Sequence, residues 1–148
     1  MANTITKQTL SLEAAQKMIE AAIKKATEMK RPMSIAICDE AGNLKAFTRM
    51  DGAPIISLQI SQDKAWTSIS FGVSTDQWFE FIKNDPPLLH GIVHTDRLVV
   101  FGGGYPIKID KQLVGGIGVS GGHYKEDMEV AQAGLAALQE AAVAGAKA

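Results

Sequence analysis

Residues 113–124 read Leu113-Val114-Gly115-Gly116-Ile117-Gly118-Val119-Ser120-Gly121-Gly122-His123-Tyr124. The segment begins as an apolar strand, turns glycine-rich and runs into a helix that closes the chain. Glycine at this density either supplies positive φ or lets a second backbone or a ligand come close. Gly116, Gly118 and Gly121 spell G-x-G-x-x-G between a strand and a helix. A dinucleotide site also needs a following strand and an acidic residue about 20 positions on. Only the closing helix follows, so no βαβ unit forms. A phosphate-binding P-loop is excluded because no Gly-Lys-Ser/Thr is present. Gly118 to Gly122 also spells G-x-S-x-G, but a nucleophile elbow needs a larger α/β scaffold with its triad partners downstream. Two readings remain. The helix start with its free N–H groups suits an anion such as a carboxylate, with Ser120 as an added donor. Alternatively, the glycines only make the turn and let the helix pack tightly.

Working outward, the closing helix carries Met128, Ala131, Leu135, Leu138 and Ala142 at 3–4 spacing, with Glu126 and Asp127 in its first turn. At the other end, Leu12, Ala15, Ile19, Ala22, Ile23 and Ala26 recur at helical spacing over Ser11–Lys30, with Ser11 as N-cap. Arg31-Pro32 stops that helix, because proline disfavours α geometry in the residue before it. Met33–Cys38 and Leu44–Met50 read as strands joined by the turn Asp39-Glu40-Ala41-Gly42-Asn43. Met33, Ile35 and Ile37 alternate with Ser34, Ala36 and Cys38. One face is bulky and the other small, which predicts a sheet covered on both sides, with a helix lying close on the small one. A second helix runs over Ile55–Phe71. A shorter one holds Trp78, Phe79, Phe81 and Ile82, with its aromatic residues in the core. Leu98–Phe101, Ile107–Ile109 and Leu113–Val119 complete a strand set. The order αββααβββα, with short strand-to-strand links, predicts an α+β sandwich. Its five mostly antiparallel strands lie between the first and last helices on one face and the middle helices on the other.

The 148 residues fit one domain, taken as 1–148. Lysine and arginine total 15 against 16 aspartates and glutamates, a balance that argues against a dedicated nucleic-acid partner. The single cysteine, Cys38, excludes an internal disulfide framework and a zinc ribbon. No apolar run approaches the roughly 20 residues that cross a bilayer. The start lacks a secretory pattern, so the expected location is cytoplasmic and no membrane partner is expected.

At Lys64-Ala65-Trp66-Thr67, at Phe101-Gly102-Gly103-Gly104-Tyr105-Pro106, and at Gly115 to Gly122 followed by Asp127 and Ala131, the chain resembles the GlcG/HbpS-like family. That family also supplies the C-terminal domain of PduO-type corrinoid adenosyltransferases. The Ala14-Ala15 helix and the Asp39–Asn43 turn fit as well, so the resemblance spans nearly the whole chain. It implies a profilin-like three-layer α/β/α sandwich and a homo-oligomer. Some members bind haem or are described as haem-degrading, and others accompany catabolic enzymes without a settled activity.

The first functional expectation is therefore a protein that binds a small ligand, haem or another carboxylate-bearing tetrapyrrole. Its pocket would lie at the glycine-rich turn before the last helix, formed by Gly102, Gly103, Gly104, Gly118, Val119, Ser120, Gly121 and Gly122. Haem needs an axial ligand, an apolar slot and cations for its propionates. His123 is the foremost candidate ligand, at a position where the family often carries threonine. Lys64 and Arg49 are the candidate cations. The alternative is a small catabolic enzyme, an isomerase, lyase or deaminase acting on an organic acid. There Lys64 or Arg49 would hold a carboxylate, and His123 or Asp127 would move a proton. No metal site is assigned: His90 and His94 stand four apart, but Gly91 weakens a helix between them and no third ligand is fixed.

Overall fold

The computed structural model describes the backbone of residues 2–147 and the side chains of residues 2–138. The elements are α1 (Leu12–Glu28), β1 (Ser34–Asp39), β2 (Leu44–Arg49), α2 (Ser57–Phe71), α3 (Thr75–Ile82) and α4 (Pro86–Gly91). A 3-10 turn (Ile92–His94), β3 (Gly104–Ile109), β4 (Gln112–Ser120) and α5 (Tyr124–Lys147) follow. Ser11 caps α1 by accepting the Ala14 amide at 3.1 Å. The inward stripe of α1 is Ala15, Met18, Ile19, Ala22 and Ala26, whereas Leu12 is half exposed. In the β1–β2 turn, Asp39 Oδ1 accepts the amides of Ala41 and Asn43, and Gly42 supplies a φ of +84°. No helix among the described residues is long and apolar enough to cross a membrane.

The sheet is open and antiparallel, in the order β2-β1-β4-β3. It has four strands among the described residues, not five. Leu98–Phe101 forms no ladder, because a side chain takes its backbone bond. The Val99 amide donates to Thr67 Oγ1 at 3.0 Å, and that hydroxyl donates to the Arg97 carbonyl at 2.9 Å. The strand predicted at Ile107–Ile109 begins earlier, at Gly104.

Register sorts the strand residues into two faces. Ile35 lies opposite Val119 and Ile37 opposite Ile117, while Ser34 lies opposite Ser120, Ala36 opposite Gly118 and Cys38 opposite Gly116. The bulky face packs with Ala15, Met18, Ala22 and Ala26 of α1 and with Val130 and Ala131 of α5, forming the main core. Leu135 and Leu138 pack at its margin, and Ala142 lies outside the described side chains.

The small face holds α2 at backbone distance. A Cβ on Gly118 would sit 1.9 Å from the Ser61 carbonyl oxygen. On Gly116 it would sit 2.6 Å from the Ala65 oxygen, and on Gly104 2.4 Å from the Lys64 oxygen. The close helix expected from the small residues of β1 is therefore α2, and glycines of two further strands complete its seat. The other middle helices do not extend this layer. Thr75 of α3 accepts the Gly104 amide at the β3 edge, and α4 and the 3-10 turn bury no side chain.

Candidate functional site

Lys64 projects from the middle of α2 with no exposed surface. Its Nζ donates to Asp127 Oδ2 and to the Val119 carbonyl, both at 2.8 Å, and lies 5.0 Å from the centre of the Phe101 ring. Three glycines make the room. Cβ atoms on Gly103, Gly104 and Gly118 would each meet Lys64, that of Gly103 at 2.7 Å from Nζ. Asp127 is 2% exposed, and its Oδ1 accepts the Gly122 amide at 3.0 Å. Burial opposes charge on both partners: it holds the Lys64 amine below its ordinary value and the Asp127 carboxyl above its own. The attraction between the two groups works against both shifts.

His123 begins α5 as a reciprocal cap. Its Nδ1 accepts the Lys125 amide at 3.2 Å, and its own amide donates to Glu126 Oε1 at 3.1 Å. Its ring lies on Tyr124, centroids 4.2 Å apart. Glu126 also receives Arg31 Nε at 2.9 Å; the His123 amide and then Arg31 hold its carboxyl below the usual range. The amides of Gly122, His123 and Lys125 are thus engaged within the chain.

Two concavities flank this helix start and share Phe101 and Tyr124. The smaller, about 320 Å³, is lined by Ile56, Ile60, Ser120, Gly122, His123 and Asp127 among others. The larger, about 520 Å³, is lined by Asp76, Phe79, Glu80, Gly102, Lys125 and Met128 among others. Both fall within the size range of small-molecule sites.

Of the residues singled out from sequence, Ser120, Gly121, Gly122, His123 and Asp127 meet at the smaller concavity, and Gly102 lies in the larger. Gly103, Gly104 and Gly118 surround Lys64 instead, and Val119 contributes its carbonyl while its side chain enters the main core. Arg49 is exposed at the end of β2, with Nη1 3.5 Å from the Ala53 carbonyl, and lines neither concavity. His90 and His94 lie exposed in separate short elements. The aromatic residues expected in the core divide. Trp78 is buried, whereas Phe79 and Phe81 are about half exposed. Sequence reasoning did not pair Lys64 with Asp127, 63 residues apart. It also missed Asp76 and Met128 as lining residues. No local pattern marks either, although a lysine among the apolar and small residues of α2 is an available signal.

The model of the family described as haem degrading protein HbpS-like matches residues 10–136. Corrinoid adenosyltransferase PduO of Salmonella typhimurium is 31% identical over 130 residues, which cover 87% of this chain. The chain spans 39% of that relative's length. The crystal structure of Klebsiella pneumoniae protein ORFY superposes with a TM-score of 0.89 at 35% identity, over 94% of this chain and 97% of that one. The crystal structure of a PduOC:heme complex superposes with a TM-score of 0.81 at 31% identity, over 87% and 94%. With a match running from the start of α1 well into α5, the chain belongs to the HbpS-like family.

Proposed function

We propose that residues 1–148 form one ligand-binding domain, of profilin-like three-layer design, for haem or another carboxylate-bearing tetrapyrrole. The ligand would sit at the smaller concavity. The observation that carries the reading is His123. Its ring lies at a concavity lined by Ile56, Ile60 and Phe101. Nδ1 accepts the Lys125 amide, so the ring proton sits on Nε2, and iron would bind Nε2 only in place of that proton, with the bond to Lys125 given up. Once that proton is exchanged, the lining fits haem, with an imidazole for the iron and apolar walls for the macrocycle. Haem, when bound, supplies a redox-active iron and a Soret absorption. The chain's own part would be to present the imidazole at the helix start and to cover the macrocycle with the Phe101 and Tyr124 rings. The haem complex of PduOC supports the choice of ligand. Lys64 belongs to this reading as the anchor of Asp127 rather than as a direct contact, and Arg49 as a cation outside the concavity.

A homo-oligomer in the cytoplasm accompanies the proposal. Ile55 and Ile56, 81% and 68% exposed beside the open concavity, are the residues a second copy would cover. Titration of the purified protein with haem, followed by absorbance, tests the reading. Saturable growth of a Soret band, shifted or lost in His123→Ala, is the expected result. A wild-type protein that gives no saturable band overturns it.

The second reading, a small isomerase, lyase or deaminase of organic acids, is favoured by Asp127. Its carboxyl lines the concavity, and burial holds it above its ordinary value, the direction that suits a proton-transferring acid. A panel of small organic acids tests it. Turnover lost in Asp127→Asn supports the assignment, and turnover unchanged in that variant removes it.

A further inference from the structure

The larger concavity has a chemistry of its own. Its apolar walls are Phe79, Phe101, Tyr124 and Met128, and the three rings are each between 41% and 46% exposed. Gly102 lets Met128 reach this wall, since a Cβ there would meet Met128 Sδ at 2.3 Å. Opposite stand two carboxylates one helical turn apart on α3, Asp76 and Glu80. Glu80 is paired with Lys83. Asp76 has no ion-pair partner among the described residues, and its Oδ1 is buried without a hydrogen-bond donor. The first turn of α3 offsets part of this charge, but a buried carboxylate oxygen without a donor remains costly unless something supplies one. A carboxylate-bearing ligand is repelled from such a wall. A cation is drawn to it twice, by the carboxylate and by the negative faces of the rings. Lys125, the one lysine of the lining, is exposed and makes no ion pair among the described residues, so its charge is free to move into solvent.

We propose that the larger concavity binds a small organic cation, an alkylammonium or arylammonium with an apolar body. Its nitrogen lies toward Asp76 and its body lies against Phe79 and Phe101. This site adjoins the tetrapyrrole site across the shared Phe101 and Tyr124 rings and is opposite to it in the charge it selects.

Isothermal titration with phenethylammonium and with phenylacetate, similar in size and opposite in charge, tests the proposal. Saturable binding of the cation and none of the anion is expected. Asp76→Asn weakens the cation about tenfold or more, the usual weight of a hydrogen bond to a charged group. Phe79→Ala, at an exposed position that the fold tolerates, weakens it independently. Equal or tighter binding of phenylacetate, no saturation with the cation, or a folded Asp76→Asn protein that binds as well as wild type each overturn the proposal. The Soret titration of His123→Ala is a separate readout, so either site can fail while the other stands.

Discussion

The two faces of the sheet are held by different physics. On the face toward α1 and α5, Ile35, Ile37, Ile117 and Val119 meet helix side chains, and stabilisation follows the apolar area removed from water. On the face toward α2 the apolar cluster is small, Ala36, Cys38 and Ala65 with Phe47 and Ile69 packed beside them. Ser34, Ala36, Gly116 and Gly118 meet a helix whose own buried residues are Ser57, Ser61, Lys64, Ala65, Thr67 and Ser68. That face is held by close backbone approach and by polar bonds such as Ser34 Oγ to Ser57 Oγ at 2.8 Å. The first face gives the domain its stability. The second places a buried amine and carboxylate beside a concavity, which an apolar core would not tolerate.

The sharpest way to break this comparison is to give the polar face a side chain. Gly118→Ala puts a methyl against the Ser61 carbonyl, with helix backbone as the obstacle. A loss at the top of the usual overpacking range, about 3 kcal/mol or more, is expected in urea unfolding. Next comes Lys64→Met, which leaves Asp127 buried and unpaired. It should cost about 3 kcal/mol, and the double variant Lys64→Met/Asp127→Leu should recover most of that. A double variant no more stable than the single one would mean that the pair itself organises the turn. On the apolar face, Ile117→Val should cost about 1 kcal/mol, the price of one buried methylene. Smallest is His123→Ala, which removes one exposed cap bond, about 0.5–1 kcal/mol by thermal unfolding.

Proton linkage sharpens the same contrast. Asp127 titrates above its ordinary 3.8 in the folded protein, so between those two values the folded state holds the extra proton. Stability from this group therefore falls as pH rises through that window. Lys64 titrates below its ordinary 10.5, so there the unfolded state holds the extra proton and stability rises toward that pH. Urea midpoints measured from acid to alkaline pH should show both slopes in wild type and neither in Lys64→Met/Asp127→Leu. Slopes that survive in the double variant would assign them to other groups.

The bulky and small alternation of Met33 to Cys38 was legible in the sequence, because period two in a strand maps directly onto two faces. It implied the close helix that α2 provides. The turn at Asp39–Asn43 and the stripe of α1 were legible for the same local reasons. Leu98–Phe101 was misread because an apolar run looks like a strand whether its amides find a ladder or, as at Val99, the hydroxyl of Thr67 on another element. The exposed Phe79 and Phe81 were misread because aromatic content signals burial only on average. The residues around the helix start were named one by one. Their grouping was not legible, because the Lys64–Asp127 pair depends on how deep α2 sits, and that depth is set by glycines on two other strands.

The glycine seat under α2 also fixes what this helix can do when a ligand arrives. Gly104, Gly116 and Gly118 meet three carbonyl oxygens on one side of the helix, those of Lys64, Ala65 and Ser61, spread over little more than one turn. Such a fit works as a keyway: α2 cannot roll about its axis or slip along the sheet without driving a carbonyl into a strand. Any message that passes between the two concavities and the far end of the sheet must therefore travel by tilting α2 as a rod, or by the swing of the Phe101 and Tyr124 rings at its edge.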